Sequence, residues 1–311
     1  MNVKPTSSDR ERERVEQAVR NCYSTWGERY YDEYYKSDAA YPPVHTDIVR
    51  TLLQNAGART LLDAGCGPAS MLRDLVDLGL DLYGFDLTPE MIAEARRVLS
   101  VHGIASDRIW TGSVLERGSF LGAPDGRKDY DAGICFGVLP HVPDGSDAAV
   151  IGNFMTVVRP GGLVAIEARN ELFSLFTLNR YSSGLFRNRL IDSDGLRAAA
   201  GDERDALERA LDDLDKRFRM DLPPVRKGYA DEPGYDEVLS RTHNPFEMRA
   251  LAERLGLIDV RILFYHFHAL PPMLESAVPK LFRRASIAME NPEDWRGHFL
   301  ASAFILVGRV P

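Results

Sequence analysis

Two acids and two glycines are the residues in this sequence that point most directly to chemistry. In "LLDAGCGPAS", residues 61–70, Asp63 stands two places ahead of Gly65, and Cys66 and Gly67 follow. Asp86 closes the stretch "DLYGFD", about 20 residues further on. Glycines at a strand end allow a tight turn and let a ligand approach the backbone closely. The helix that follows offers free N–H groups to a negative or polar group. An acid at the end of the next strand suits ribose hydroxyls. Together these residues describe a seat for an adenosine-containing cofactor.

Two such cofactors compete for the seat. A dinucleotide fingerprint of the form GxGxxG would run through Gly65, Gly67 and Ser70, and its third glycine is missing. A carboxylate at Asp63 repels a pyrophosphate but attracts a cationic amino group, such as that of the methionine moiety of S-adenosylmethionine. Charge complementarity therefore favours S-adenosylmethionine. The alternatives are a nicotinamide-dependent oxidoreductase, or a protein that holds S-adenosylmethionine without transferring its methyl group.

Further side chains could act on an acceptor. His141 follows Pro140 just beyond a strand pattern and is the first candidate for a base. Glu167 is a second catalytic candidate, and Arg169 and Asn170 beside it are candidates for acceptor binding. In "FYHFHALPP" His266 and His268 lie two apart, so strand alternation would put both on one face. They join the catalytic candidates, with Tyr265 as an acceptor contact. In "LFTLNRYSSGLFRNRL" Arg180, Arg187 and Arg189 could grip a carboxylate or phosphate, beside Tyr181. From the cluster Tyr30, Tyr31, Tyr34 and Tyr35, Tyr31 is taken as a cofactor contact. No HExxH or CxxC spacing occurs, so no metal is expected.

These residues need a framework. Helical patterns cover 11–35 and 46–55, and Gly57 stops the second. Strand and helix patterns then alternate: "TLLDAG", a helix over 69–78, "DLYGFDL", and a helix opened by Thr88, Pro89 and Glu90. "RIWTGSV", "DYDAGICFGVL" and "LVAIEAR" follow as strands three to five. Such alternation implies an α/β fold with a parallel sheet covered on both faces. It stops near residue 170, where a polar helical region begins, with "DERDALERALDDLDKRF" as its clearest helix. It resumes with "PFEMRALAERLGL", "VRILFYHFH" and a closing strand, "FLASAFILVGRV". The expected divisions are an N-terminal helical extension (1–44), a cofactor-binding core (45–170), a helical insertion or substrate lid (171–242) and the rest of the core (243–311). An insertion after strand five lies at the carboxyl edge of the sheet, where open α/β sheets bind ligands.

The motifs as a set resemble those of the class I S-adenosylmethionine-dependent methyltransferases, well over 45–170 and loosely over the last 70 residues. "DAGCGPA" resembles the family's first motif, with Ala69 where a third glycine is common. "GFDLTPEMIAEAR" resembles its second segment, which implies Asp86 on the ribose and Leu87 and Met91 beside the adenine. "TGSV" sits where the family often has an Asp near the adenine amine, and here that position is Ser113, followed by Val114. "ICFGVLPHV", with Phe136, resembles the fourth-strand segment, and "VVRPGGLVAIEA" the approach to strand five. The resemblance implies a Rossmann-like, seven-stranded, mostly parallel sheet. It also implies methyl transfer to an O or N atom of a small molecule, a specialised metabolite or a sugar intermediate, with S-adenosyl-L-homocysteine as the product.

Composition bounds the partners. With 44% apolar and 27% charged residues, the chain reads as an ordinary globular protein. A net charge of −8 argues against a nucleic-acid partner. No apolar run is long enough to span a membrane, and three scattered cysteines form no disulfide framework. A cytoplasmic monomer or homodimer is expected, without a membrane partner.

Overall fold

In the computed structural model, residues 7–27, 29–36, 42–221 and 238–311 are described. The apolar runs form one sheet of seven strands: β1 (Thr60–Ala64), β2 (Asp81–Asp86), β3 (Ile109–Thr111), β4 (Tyr130–Cys135), β5 (Val158–Arg169), β6 (Ile258–Phe267) and β7 (Ala301–Arg309). Their order is β3-β2-β1-β4-β5-β7-β6. β1 pairs in parallel with both β2 and β4, β2 with β3, and β4 with β5, whereas β7 runs antiparallel to β5. This is the α/β Rossmann-like sheet expected. β1 is buried at every position, as a central strand covered on both faces must be. Phe85, Phe120 and Phe154 lock one face through edge-to-face pairs with centroids 5.0 Å apart.

The direction of winding reverses between β1 and β4. Loops leaving the carboxyl ends of those strands diverge there and leave a crevice, the usual ligand position in open α/β sheets. The helices up to β3 are α1 (Ser7–Tyr23), α2 (Arg29–Tyr34), α3 (Val44–Ala56), α4 (Ser70–Asp74) and α5 (Pro89–Ser100), and of these α1, α2 and α5 give residues to the crevice. The helix expected over 11–35 is thus two, separated by a turn that includes Trp26, which is 3% exposed. The helix expected over 69–78 stops at Asp74 and continues as a 3-10 turn at Val76–Leu78. Ala69, its N-cap, takes φ 63°, the left-handed conformation a glycine would adopt without strain.

Two compact units divide the chain. The first comprises Met1–Arg169, Gly228–Leu263 and Ala303–Pro311, and the second comprises Asn170–Lys227 and Phe264–Ser302. The expected N-terminal extension therefore belongs with the core. The expected insertion shares its unit with 264–302 rather than standing alone. Within the second unit, Arg204–Asp215 is a helix with one buried residue, Leu211. Part of the expected lid, 222–237, lies outside the described residues.

Candidate cofactor and acceptor site

A cavity opens at the switch point in the first unit. Its position, outside the carboxyl ends of the strands, is where open α/β sheets take small ligands and cofactors. Eight expected cofactor contacts line it: Gly65, Gly67, Asp86, Leu87, Met91, Ser113, Val114 and Phe136. His141 lines it too, and so do Glu16, Val19, Tyr23 and Tyr30, which are contributed by α1 and α2.

The β1 loop is shaped by necessity. Gly65 has φ 85°, and a Cβ there would fall 2.2 Å from Val138 Cγ2. A larger residue would have to displace the Val138 side chain and hold a strained left-handed backbone. Gly65 and Cys66 both donate backbone N–H bonds to the Phe85 carbonyl, at 2.7 and 3.0 Å, tying the loop to β2. The Asp86 carboxylate then accepts the Gly67 N–H at 2.9 Å and the Thr88 N–H at 2.8 Å. Burial still raises its pKa above the ordinary value. Asp63, 2% exposed at the end of β1, is pushed up to about 8 by burial and by the charge of Asp86. The site therefore carries two crowded acids and favours a cation.

Three expected contacts lie elsewhere. Cys66 is 5% exposed, and its Sγ lies 3.1 Å from where a Gly84 Cβ would be, so it packs against β2 instead of lining the cavity. Asp63 lies behind the loop without lining the cavity. Tyr31 donates its hydroxyl to Asp74 at 3.0 Å and has the Arg73 guanidinium 3.7 Å over its ring. Residues 30 and 31 of a helix point to different faces, and it is Tyr30 that reaches the cavity.

His141 is held at both ring nitrogens. Nδ1 lies 2.6 Å from the Leu239 carbonyl oxygen, which can only accept, so Nδ1 carries the proton. Nε2 is then an acceptor, and the Tyr23 hydroxyl donates to it at 3.0 Å. Burial and the nearby Arg169 lower the imidazole pKa to about 4, so His141 is neutral at ordinary pH. Burial likewise holds the Tyr23 phenol well above its ordinary value. Glu167 accepts the Gly137 N–H at 2.8 Å, and Gly137 lines the cavity. Arg169 reaches Ser240, steadying the segment whose Leu239 holds His141.

The remaining candidates are in the second unit, each with its own partners. The Asn170 side-chain amide donates to the carbonyls of Gly297, His298 and Ala301, and its oxygen accepts the Leu172 N–H. It is a buried peg, not a ligand contact. Arg187 is paired with Asp215 at 2.8 Å and Arg189 with Glu171 at 3.1 Å, so neither stands ready for an anion. Arg180 lies 5.2 Å over the ring of Tyr181, which is 51% exposed. The two histidines do not share a strand face: His266 takes φ 58°, which interrupts the alternation, and β6 ends at Phe267. His268 is buried against Phe173 and Phe282, and burial lowers its pKa to about 4. Tyr265 is 5% exposed and packs on His266.

Glu16, Val19 and Tyr23 were not legible as site residues. Their spacing of three and four places one helical stripe on the cavity, but that stripe reads equally as a packing face. Among the described residues, no group of three or more His, Cys, Asp and Glu could hold a metal ion. No described helix is long and apolar enough to cross a membrane.

The sheet order and the acid-flanked glycine loop set the terms for comparison with known proteins. Residues 61–162 match the family model described as methyltransferase domain. By that match, residues 61–162 are a methyltransferase domain. The match contains the whole β1 loop, Asp86, Ser113 and His141, so the cavity is built mainly from this domain. The chain is similar to a ubiquinone biosynthesis O-methyltransferase of Xanthomonas oryzae pv. oryzae (strain PXO99A), at 31% identity over 148 residues, 44% of this chain and 53% of that protein. The protein of the same name from Xylella fastidiosa (strain M23) is 27% identical over 176 residues, 56% of this chain and 68% of that protein. The chain thus spans about half the length of the first of these relatives. Among solved structures, magnesium protoporphyrin IX methyltransferase from Synechocystis PCC 6803 with bound S-adenosylhomocysteine shares the fold. It has a TM-score of 0.51 and 14% identity, and the match covers 96% of this chain and 100% of that one.

Proposed function

We propose that this protein transfers a methyl group from S-adenosylmethionine to an oxygen of a small-molecule acceptor. The observation that carries the reading is the Tyr23–His141 pair: a neutral imidazole whose only acceptor nitrogen faces a phenol that lines the cavity. An amine acceptor can be methylated with no base at all, whereas a hydroxyl must lose its proton. A prepared proton path therefore favours O-transfer over N-transfer, and the relatives named as O-methyltransferases support it.

The residues around the cavity fit the cofactor. Asp86 would hold the ribose, Leu87 and Met91 would flank the adenine, and Asp63, behind the loop, would supply negative charge for the amino-acid end once the cofactor's ammonium draws off its proton. When bound, S-adenosylmethionine supplies a methyl carbon made electrophilic by the sulfonium. The protein's work is alignment at about 3 to 3.5 Å and removal of one proton. Tyr23 accepts the acceptor's hydroxyl hydrogen and passes its own proton to His141 Nε2. Formation of the O–C bond makes the acceptor oxygen strongly acidic, so a base with pKa near 4 suffices once attack is under way. The wall of Tyr23, Tyr30 and Phe136 suits an aromatic acceptor. We infer an aromatic specialised metabolite with a free hydroxyl rather than a sugar intermediate.

The test is calorimetric titration with S-adenosylhomocysteine and with NAD, then turnover of trideuteromethyl-labelled cofactor with panels of phenols, sugars and amines. Binding of S-adenosylhomocysteine but not NAD, and label on phenolic oxygen, are expected. Binding of NAD alone, or label on amines alone, would overturn the reading.

A further inference from the structure

The β3 loop lacks the carboxylate expected near the adenine amine, and a helix distant in sequence supplies one. Ser113, 6% exposed, donates its hydroxyl to Glu16 Oε1 at 2.6 Å. The same hydroxyl oxygen accepts the Leu115 N–H at 3.1 Å, and the Ser113 N–H goes to Ser119. Ser113 has therefore spent its only side-chain donor on Glu16. Glu16 lines the cavity, its side chain 13% exposed, 97 residues before Ser113 in sequence.

The carboxylate is aimed and held. Arg12 Nε donates to Oε1 at 3.1 Å, and Arg20 lies 3.6 Å from Oε2. Arg12 also reaches Glu116 at 2.7 Å. Two side-chain bridges, Glu16–Ser113 and Arg12–Glu116, thus fasten α1 to the loop after β3. They leave Oε2, which Arg20 approaches only to 3.6 Å, with acceptor capacity, and Glu16 lines the same cavity as Leu87 and Met91, the residues expected to flank the adenine.

We propose that Glu16 is the adenine-selecting residue of this protein: it accepts a hydrogen from the adenine amine, replacing in space the acid that Ser113 does not provide. This rests on the S-adenosylmethionine reading above. A carboxylate welcomes an amine and repels the oxo group that deamination would put in its place, so Glu16 sets selectivity as well as affinity.

The experiment is calorimetric titration of the full chain with S-adenosylhomocysteine and with S-inosylhomocysteine, its deaminated counterpart. Wild type is expected to prefer the adenosine compound by at least about tenfold, the size of one hydrogen bond to a charged group. Glu16→Gln keeps the shape but gains an N–H that can serve an oxo group, so the preference should collapse. Adding Ser113→Asp to Glu16→Gln returns a carboxylate to the pocket and should restore it. Thermal melts show that each variant is folded before titration. An unchanged preference in Glu16→Gln overturns the proposal alone. Wild type that binds neither compound overturns the cofactor reading and the proposal with it.

Discussion

The Tyr23 hydroxyl lies 3.0 Å from His141 Nε2, although 118 residues separate them in sequence. The Leu239 carbonyl fixes the tautomer from the other side of the ring, so the pair has one direction of proton flow, toward the imidazole. Tyr23→Phe should lower the turnover number by about 10²–10⁴, the range for general acid–base catalysis, and leave S-adenosylhomocysteine affinity nearly unchanged. Equal turnover by the variant, measured under saturating cofactor, would remove Tyr23 from the reaction.

The low imidazole pKa makes a pH prediction with a definite sign. His141 falls from 6.5 to about 4 on folding, so the folded protein binds this proton less readily than the unfolded chain. Its contribution to stability is whole above about 6.5 and is lost as pH falls toward 4. Activity that depends on the neutral ring should hold between pH 6 and 8 and decline only as pH approaches 4. A turnover profile that breaks near 6.5 would contradict this.

Asp63 behaves in the opposite sense. Its carboxyl is raised from 3.8 to about 8, so most molecules carry it protonated at pH 7. A cationic ligand beside it drives ionisation, and binding should release a proton near pH 7 and none well above pH 8. Titrations in buffers of differing ionisation enthalpy measure this directly. Asp63→Asn should abolish the release.

Much of this was legible because it is local. The glycines, Asp86, Leu87 and Met91 fall within one strand–loop–helix unit, where spacing alone carries the geometry. His141 was found in the same way, as the residue just beyond a strand end. Glu16 and Tyr23 were not, and Tyr30 was named only within the cluster from which Tyr31 was chosen, because a helix records which of its faces is apolar but not which distant loop that face meets. The histidines at 266 and 268 failed for a different reason: one left-handed residue resets strand alternation, and nothing in "FYHFH" announces it.

The Asn170 peg can be separated from binding. Its two amide hydrogens are shared among three carbonyls and its oxygen accepts one N–H, all within its own unit and buried or nearly so. Asn170→Ala should cost about 2–4 kcal/mol of stability by stranding those groups. Thermal or denaturant melts would record it, and the acceptor KM of the remaining folded enzyme should be unchanged.

Asp86→Ala tests the ribose assignment. Affinity for S-adenosylhomocysteine should weaken by about 1.5 to 3 kcal/mol, the range for a hydrogen bond to a charged group. Because Asp86 also receives the Gly67 and Thr88 N–H groups, the melting temperature should drop in the same variant. Unchanged calorimetric affinity would place the ribose elsewhere.

Glu16 and Tyr23 stand seven residues apart on α1, a rise of about 10 Å along the helix. One helix therefore carries both the carboxylate proposed to meet the adenine and the phenol proposed to meet the acceptor. Any displacement of α1 that freed the first would also part the phenol from the imidazole.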